Sequence, residues 1–140
     1  MRRLACLAIA AALAVPPVAL VAAPQAAQAQ AGCRAQTPQP GTQRRVAILN
    51  ALRPHIEEMA GEDVEFMVDR IRVACDYARV VVRPQTPGGG GNHYETVDAL
   101  MERRNGTWRM RQMACGEVDC APAAQQYREI FPNLPTALLF

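Results

Sequence analysis

The sequence predicts an α+β domain: one N-terminal helix laid on a four-stranded antiparallel sheet, with a short C-terminal helix. Three observations predict it. Apolar residues recur at helical spacing through residues 46–59, and the pattern then switches to alternation at Val64. β-Branched runs separated by turn signals follow, among them Asn105-Gly106, the strongest short hairpin signal. The links between these runs are too short for helical crossovers, so the sheet should be antiparallel, with the helices on one face.

Each element has its own signature. Thr42 is a suitable N-cap for a helix whose stripe is Val46, Leu49, Leu52, Ile56 and Met59. Pro54 lacks the N–H that should bond Asn50, which predicts a kink there, or a stop near Leu52 and a restart. Gly61 suits the C′ position. Val64, Phe66 and Val68 alternate, and Ile71 and Val73 continue one residue out of phase. A bulge near Asp69-Arg70 would restore the face. Asp76 marks a turn, and residues 78–82 suit a strand buried on both faces. Residues 83–92 hold two prolines and four consecutive glycines, a loop with little reason to be ordered.

The hairpin at Asn105-Gly106 fixes a register. A type I′ turn sets Arg104 opposite Thr107, Arg103 opposite Trp108, Glu102 opposite Arg109 and Met101 opposite Met110. Val97, Ala99, Met101, Trp108 and Met110 then share one face, and a Glu102–Arg109 ion pair is expected on the other. Beyond the Cys115–Cys120 stretch, Ala123, Tyr127, Ile130 and Phe131 fit a short helix that begins after Pro122. Residues 137–140 form an apolar tail expected to dock.

The first residues read as an address. Arg2 and Arg3 precede a nearly unbroken apolar run, and two small-x-small patterns follow, Ala27-Gln28-Ala29 and Ala29-Gln30-Ala31. Residues 1–29 are expected to be a signal peptide, cleaved between residues 27 and 32. Residues 30–42 would be a flexible lead-in and 43–140 the single α+β domain. The paired prolines Pro16-Pro17 argue against a transmembrane anchor, so no membrane span is expected in the mature form. Gln30 stands where a lipobox wants a leucine-like residue, which argues against a lipidated Cys33. Loss of Arg2 and Arg3 would leave 13 basic residues against 13 acidic ones. The precursor's pI of 8.4 is therefore no argument for nucleic acid, and no basic run interleaved with aromatics exists.

Five cysteines are present, and Cys6 would leave with the leader. Cys33, Cys75, Cys115 and Cys120 remain, an even set that in an oxidising compartment predicts two disulfides. Three connectivities are possible; a short Cys115–Cys120 closure is plausible, and Cys33–Cys75 then follows by elimination. The rival is a metal site of Cys115, Cys120, His55 and His93. Its C-x4-C spacing is loose and its histidines lack paired spacing, so no metal or other cofactor is expected.

The composition excludes several chemistries. The chain contains neither lysine nor serine, which removes the Ser–His–Asp triad, the P-loop and Schiff-base catalysis. Pro87 and the glycines after it are followed by a strand rather than a helix, unlike a phosphate cradle. Trp108 on the inner hairpin face reads as core, and Glu57, Glu58 and Glu62 read as a solvated helix end. Three neighbouring residues could assemble acid–base chemistry: His93, Tyr94 and Asp98.

The stretches Arg45-Val46-Ala47-Ile48-Leu49-Asn50-Ala51-Leu52-Arg53-Pro54, Val64-Glu65-Phe66-Met67-Val68 and Asn105-Gly106-Thr107-Trp108 resemble a group of small exported bacterial proteins of no established function. The helix-then-sheet order is similar to cystatin-like and NTF2-like domains. The resemblance implies the fold and carries no catalytic residue onto this chain.

Two functions are therefore expected to compete. One is a non-catalytic periplasmic or secreted binding module that engages an envelope protein or a glycan. The other is a small hydrolase or isomerase with a carboxylate and Tyr or His in a sheet-lined pocket. Asp98 buried in a concave pocket would favour the enzyme, and a filled core the binder. Intact-mass measurement of the envelope fraction should show a chain that starts between residues 27 and 32. A product retaining Met1, or carrying lipid on Cys33, would refute the address.

Overall fold

The computed structural model describes residues 33–91 and 94–140. The expected leader, its cleavage window up to Gly32 and the candidate His93 lie outside the described residues. Helix α1 (Gln43–Ala60) is followed by strands β1 (Glu65–Ala74), β2 (Tyr77–Gln85), β3 (Val97–Arg104) and β4 (Thr107–Met113). Helix α2 (Ala123–Ile130) and a 3-10 turn (Thr136–Leu138) complete the chain. The strands lie in sequence order in one antiparallel sheet, so β2 and β3 are central.

α1 is one uninterrupted helix through Pro54, with no restart after Leu52. The Thr42 hydroxyl accepts from the Arg45 amide, and Gly61 closes the helix at φ 73 with its N–H on the Glu57 carbonyl. The buried row is Ile48, Leu52 and Ile56. Val46 and Met59, expected in the stripe, are exposed. Val46 precedes Leu52 by six residues and so sits about 120° round the helix from it. Met59 lies at the helix end, where the sheet no longer covers it.

The sheet follows the expected register. β1 slips against β2 between Val68 and Arg70, so the bulge sits at Asp69. All four hairpin pairs about Asn105-Gly106 occur, and both turn residues have positive φ, 51 and 79. A second slip, between Leu100 and Met101, leaves Arg111 unmatched on β4. α1 packs on the face carrying Ile71, Val73, Ala78, Val80, Val82, Ala99, Met101 and Trp108. Trp108 is core, as its hairpin position predicts.

The helices do not share one face. α2 and the tail cover the opposite side, where Ala74, Leu100, Tyr127, Leu134, Leu138 and Leu139 form a second core. The sheet is thus sandwiched, which is why β2 buries residues from both sides. Leu138 and Leu139 dock while Phe140 stays exposed. The described lead-in is tied to β1: Gln36 and Val73 exchange both backbone hydrogen bonds at 2.8 Å.

Both disulfides are present, Cys33–Cys75 and Cys115–Cys120, with Cα separations of 5.4 and 5.9 Å. The first spans 42 residues and the second 5. Loop-closure entropy then assigns about 4 kcal/mol to the first and about 2 kcal/mol to the second. Denaturant melts of Cys33→Ala/Cys75→Ala and Cys115→Ala/Cys120→Ala double variants should rank in that order. The reverse ranking would show that the long closure does not carry the stability.

Candidate functional site

The structure separates the residues that the sequence grouped. Asp98 and Tyr94 fall on opposite faces of the sheet. Asp98 follows Val97 on β3, and successive side chains alternate. Val97 packs in the core under α1, whereas Asp98 points to the side covered by α2.

There Asp98 is held by a fork. Arg79 on β2 donates from Nε at 3.0 Å to Oδ1 and from Nη2 at 2.7 Å to Oδ2. The Tyr127 hydroxyl, from α2, lies 2.6 Å from the Asp98 carbonyl and 3.1 Å from Oδ1. Arg79 also reaches the Leu138 carbonyl from Nη1, at 3.3 Å, and its guanidinium lies over the Tyr127 ring. Arg79 is 8% exposed and Tyr127 is 0% exposed. Burial pushes the Tyr127 hydroxyl far above its ordinary 10.0, and the Asp98 charge pushes it the same way. The hydrogen bonds that Arg79 donates to Asp98 raise the guanidinium above its ordinary value. Both oxygens of Asp98 are therefore committed to holding β2, β3 and α2 together. In this fold its contacts are structural ones.

Glu102 forms the second polar node on that face. It is 8% exposed. The expected Glu102–Arg109 ion pair does not form, although the two residues stand directly opposite. Nε of Arg104 and Nε of Arg111 lie 2.9 and 3.1 Å from Glu102 Oε2 instead, close in space but off the hydrogen-bond direction. Arg111 is the residue left over by the β4 slip, which brings it back beside Glu102. The Tyr77 hydroxyl donates to Oε1 at 3.4 Å.

The concave feature lies on the other side, at the C-terminal end of α1. A cleft of about 420 Å³ opens there. Ile56, Met59 and Ala60 of α1 form one wall, and Pro84, Val97 and Met113 form the floor. Tyr94, Glu95 and Thr96 enter from the approach to β3, and residues 114–117 from the loop after β4. The charged groups of the described lining are Glu95 and Glu117, both carboxylates. Tyr94 is held by its own amide on the Pro84 carbonyl at 3.0 Å and by its hydroxyl on Glu62.

The loop carrying Glu117 is pre-formed. The Cys115–Cys120 disulfide closes it. Gln126 of α2 braces it from below: Oε1 accepts from the Cys115 amide at 2.9 Å, and Nε2 donates to the carbonyls of Cys115 and Ala121. Val118, at the tip, is fully exposed. His55 is exposed on α1, and Cys115 and Cys120 are consumed by their disulfide. Among the described residues no three His, Cys, Asp or Glu side chains gather as a metal site would.

Sequence reasoning singled out two residues of this cleft, Tyr94 as an acid–base candidate and Cys115 as a disulfide cysteine, and did not foresee that they meet. The cleft is made by four segments distant in the chain, and none of them carries a motif of its own. No family model, no curated protein and no solved structure matches this chain.

The Tyr127 node has a pH signature. Its folded pKa lies above its unfolded one, so the stability from the protonated hydroxyl is fully present below about pH 10 and is lost as pH rises past it. Tyr77, raised chiefly by burial, adds to the same alkaline loss. Tyr127→Phe should cost about 1–2 kcal/mol at pH 7, by removing the hydroxyl's bonds to Asp98 Oδ1 and to the Asp98 carbonyl, which keeps the Ala114 amide. It should also flatten the decline of stability in urea melts between pH 9 and 11. An alkaline slope as steep as the wild type's would contradict the buried, protonated hydroxyl.

Proposed function

We propose that this protein is an exported, non-catalytic binding module of the periplasm or extracellular space, and that it engages an envelope component through the cleft at the end of α1. The observation that carries the reading is the commitment of Asp98: its carboxylate is forked by Arg79 on the side of the sheet away from the cleft. The concave surface is left with an apolar floor and a carboxylate rim, a surface suited to recognition. Export is supported by the leader-like first residues and by two disulfides, which belong to oxidising compartments. No helix among the described residues is long and apolar enough to cross a membrane. The proposal includes the likeness to cystatin-like and NTF2-like domains, supported by a helix laid across an antiparallel sheet.

The hydrolase or isomerase alternative would rest on Tyr94 with Glu62, where a hydroxyl meets a carboxylate beside the cleft. Affinity capture from envelope extract separates the two readings. Ala60→Trp fills the cleft from its α1 wall and should abolish capture of the partner while leaving the melting temperature within about 3 °C. Tyr94→Phe should leave capture unchanged. Equal recovery by wild type and Ala60→Trp would place the interaction elsewhere, and turnover lost on Tyr94→Phe would restore the enzyme.

A further inference from the structure

We infer that the cleft takes an extended segment of an envelope protein in which a basic side chain is flanked by apolar ones. This rests on the reading of the cleft as the binding surface, and it narrows the partner from "protein or glycan" to one chemistry.

Charge complementarity carries the first half. Glu95 and Glu117 both belong to the described lining, one on the approach to β3 and one on the disulfide-closed loop, and no arginine is among the described lining residues. Every other lining side chain apart from Thr96 and Tyr94 is apolar or a cysteine or glycine. Such a wall repels an anion, offers few hydrogen-bond donors to a sugar, and attracts a cation whose stem can lie on apolar surface. Lysine and arginine side chains have that build.

The surroundings carry the second half. Apolar exposure does not stop at the cleft's mouth. Met59 is 61% exposed on the α1 wall, and Val118 is 101% exposed at the loop tip one residue from Glu117. The loop beneath Val118 is braced by the disulfide and by three hydrogen bonds with Gln126, so it is held in place before any partner arrives. A small free cation would fill the cleft and leave these outlying groups in water. A polypeptide segment would cover them in the same event. Methionine in wall and floor, Met59 and Met113, lets the surface adapt to more than one apolar neighbour.

The probes are three acetylated, amidated hexapeptides alternating Leu with Lys, Gln or Glu, plus n-octylammonium, titrated against the full mature protein with both disulfides intact. The Lys peptide should bind about fivefold or more tightly than the Gln peptide, with the Glu peptide weakest. The Lys preference should fall in Glu95→Gln/Glu117→Gln and in 1 M salt, while binding of the Gln peptide is unchanged. Ala60→Trp should abolish binding of all three. Gln and Lys peptides binding equally, both sensitive to Ala60→Trp, would overturn the charge inference and leave the cleft reading standing. Octylammonium binding as tightly as the Lys peptide would make the ligand a small cation and overturn the protein segment. A Lys peptide indifferent to Ala60→Trp, or no peptide binding, would overturn the cleft reading itself.

Discussion

The guanidinium of Arg79 is the point on which this structure turns. It sits on a central strand, 8% exposed, and its donors reach Asp98 on β3 and the Leu138 carbonyl in the tail. Tyr127 closes the group from α2 by bonding to Asp98. A buried charge is tolerated only when paired and hydrogen-bonded, and here the pairing partners come from separate elements. The node therefore specifies where α2 and the C-terminal tail dock. Hydrophobic burial of Leu138 and Leu139 supplies attraction without direction, and the fork supplies the direction.

That docking has a consequence on the far side of the molecule. α2 is seated by Tyr127, and one residue before Tyr127 is Gln126, which braces the Cys115–Cys120 loop. The loop in turn presents Glu117 to the cleft. Structural commitment of Asp98 and shape of the cleft are thus linked through one helix turn. Asp98, the carboxylate that the sequence offered for acid–base chemistry, helps to hold the supports of the cleft from the other face of the sheet.

Local chemistry made part of this legible in the sequence. Asn105-Gly106 dictates a turn that dictates a register, and every pair about it follows. The phase change between Val68 and Ile71 required a bulge, and the bulge is at Asp69. Cysteine parity and spacing gave the two disulfides. The second core was legible only as a strand suited to burial on both faces and a tail expected to dock; its polar anchors, Arg79 and Asp98, alternate along their strands as solvent-facing residues do. Only Tyr127 buries fully from α2, too little for a stripe. The Glu102–Arg109 expectation failed because it assumed an unbroken β4 ladder, whereas the slip at Arg111 gives Glu102 nearer partners. The cleft itself belongs to packing, since its walls come from segments whose proximity no spacing encodes.

The central claim is that Asp98 is bound to Arg79 as a structural pair. A double-mutant cycle over Arg79→Met and Asp98→Asn, read by urea denaturation at pH 7, tests it most directly. Each single variant should lose about 3 kcal/mol or more, and the pair should lose about 2 kcal/mol less than the sum of the two. Additive losses, or an Asp98→Asn variant as stable as the wild type, would contradict the account.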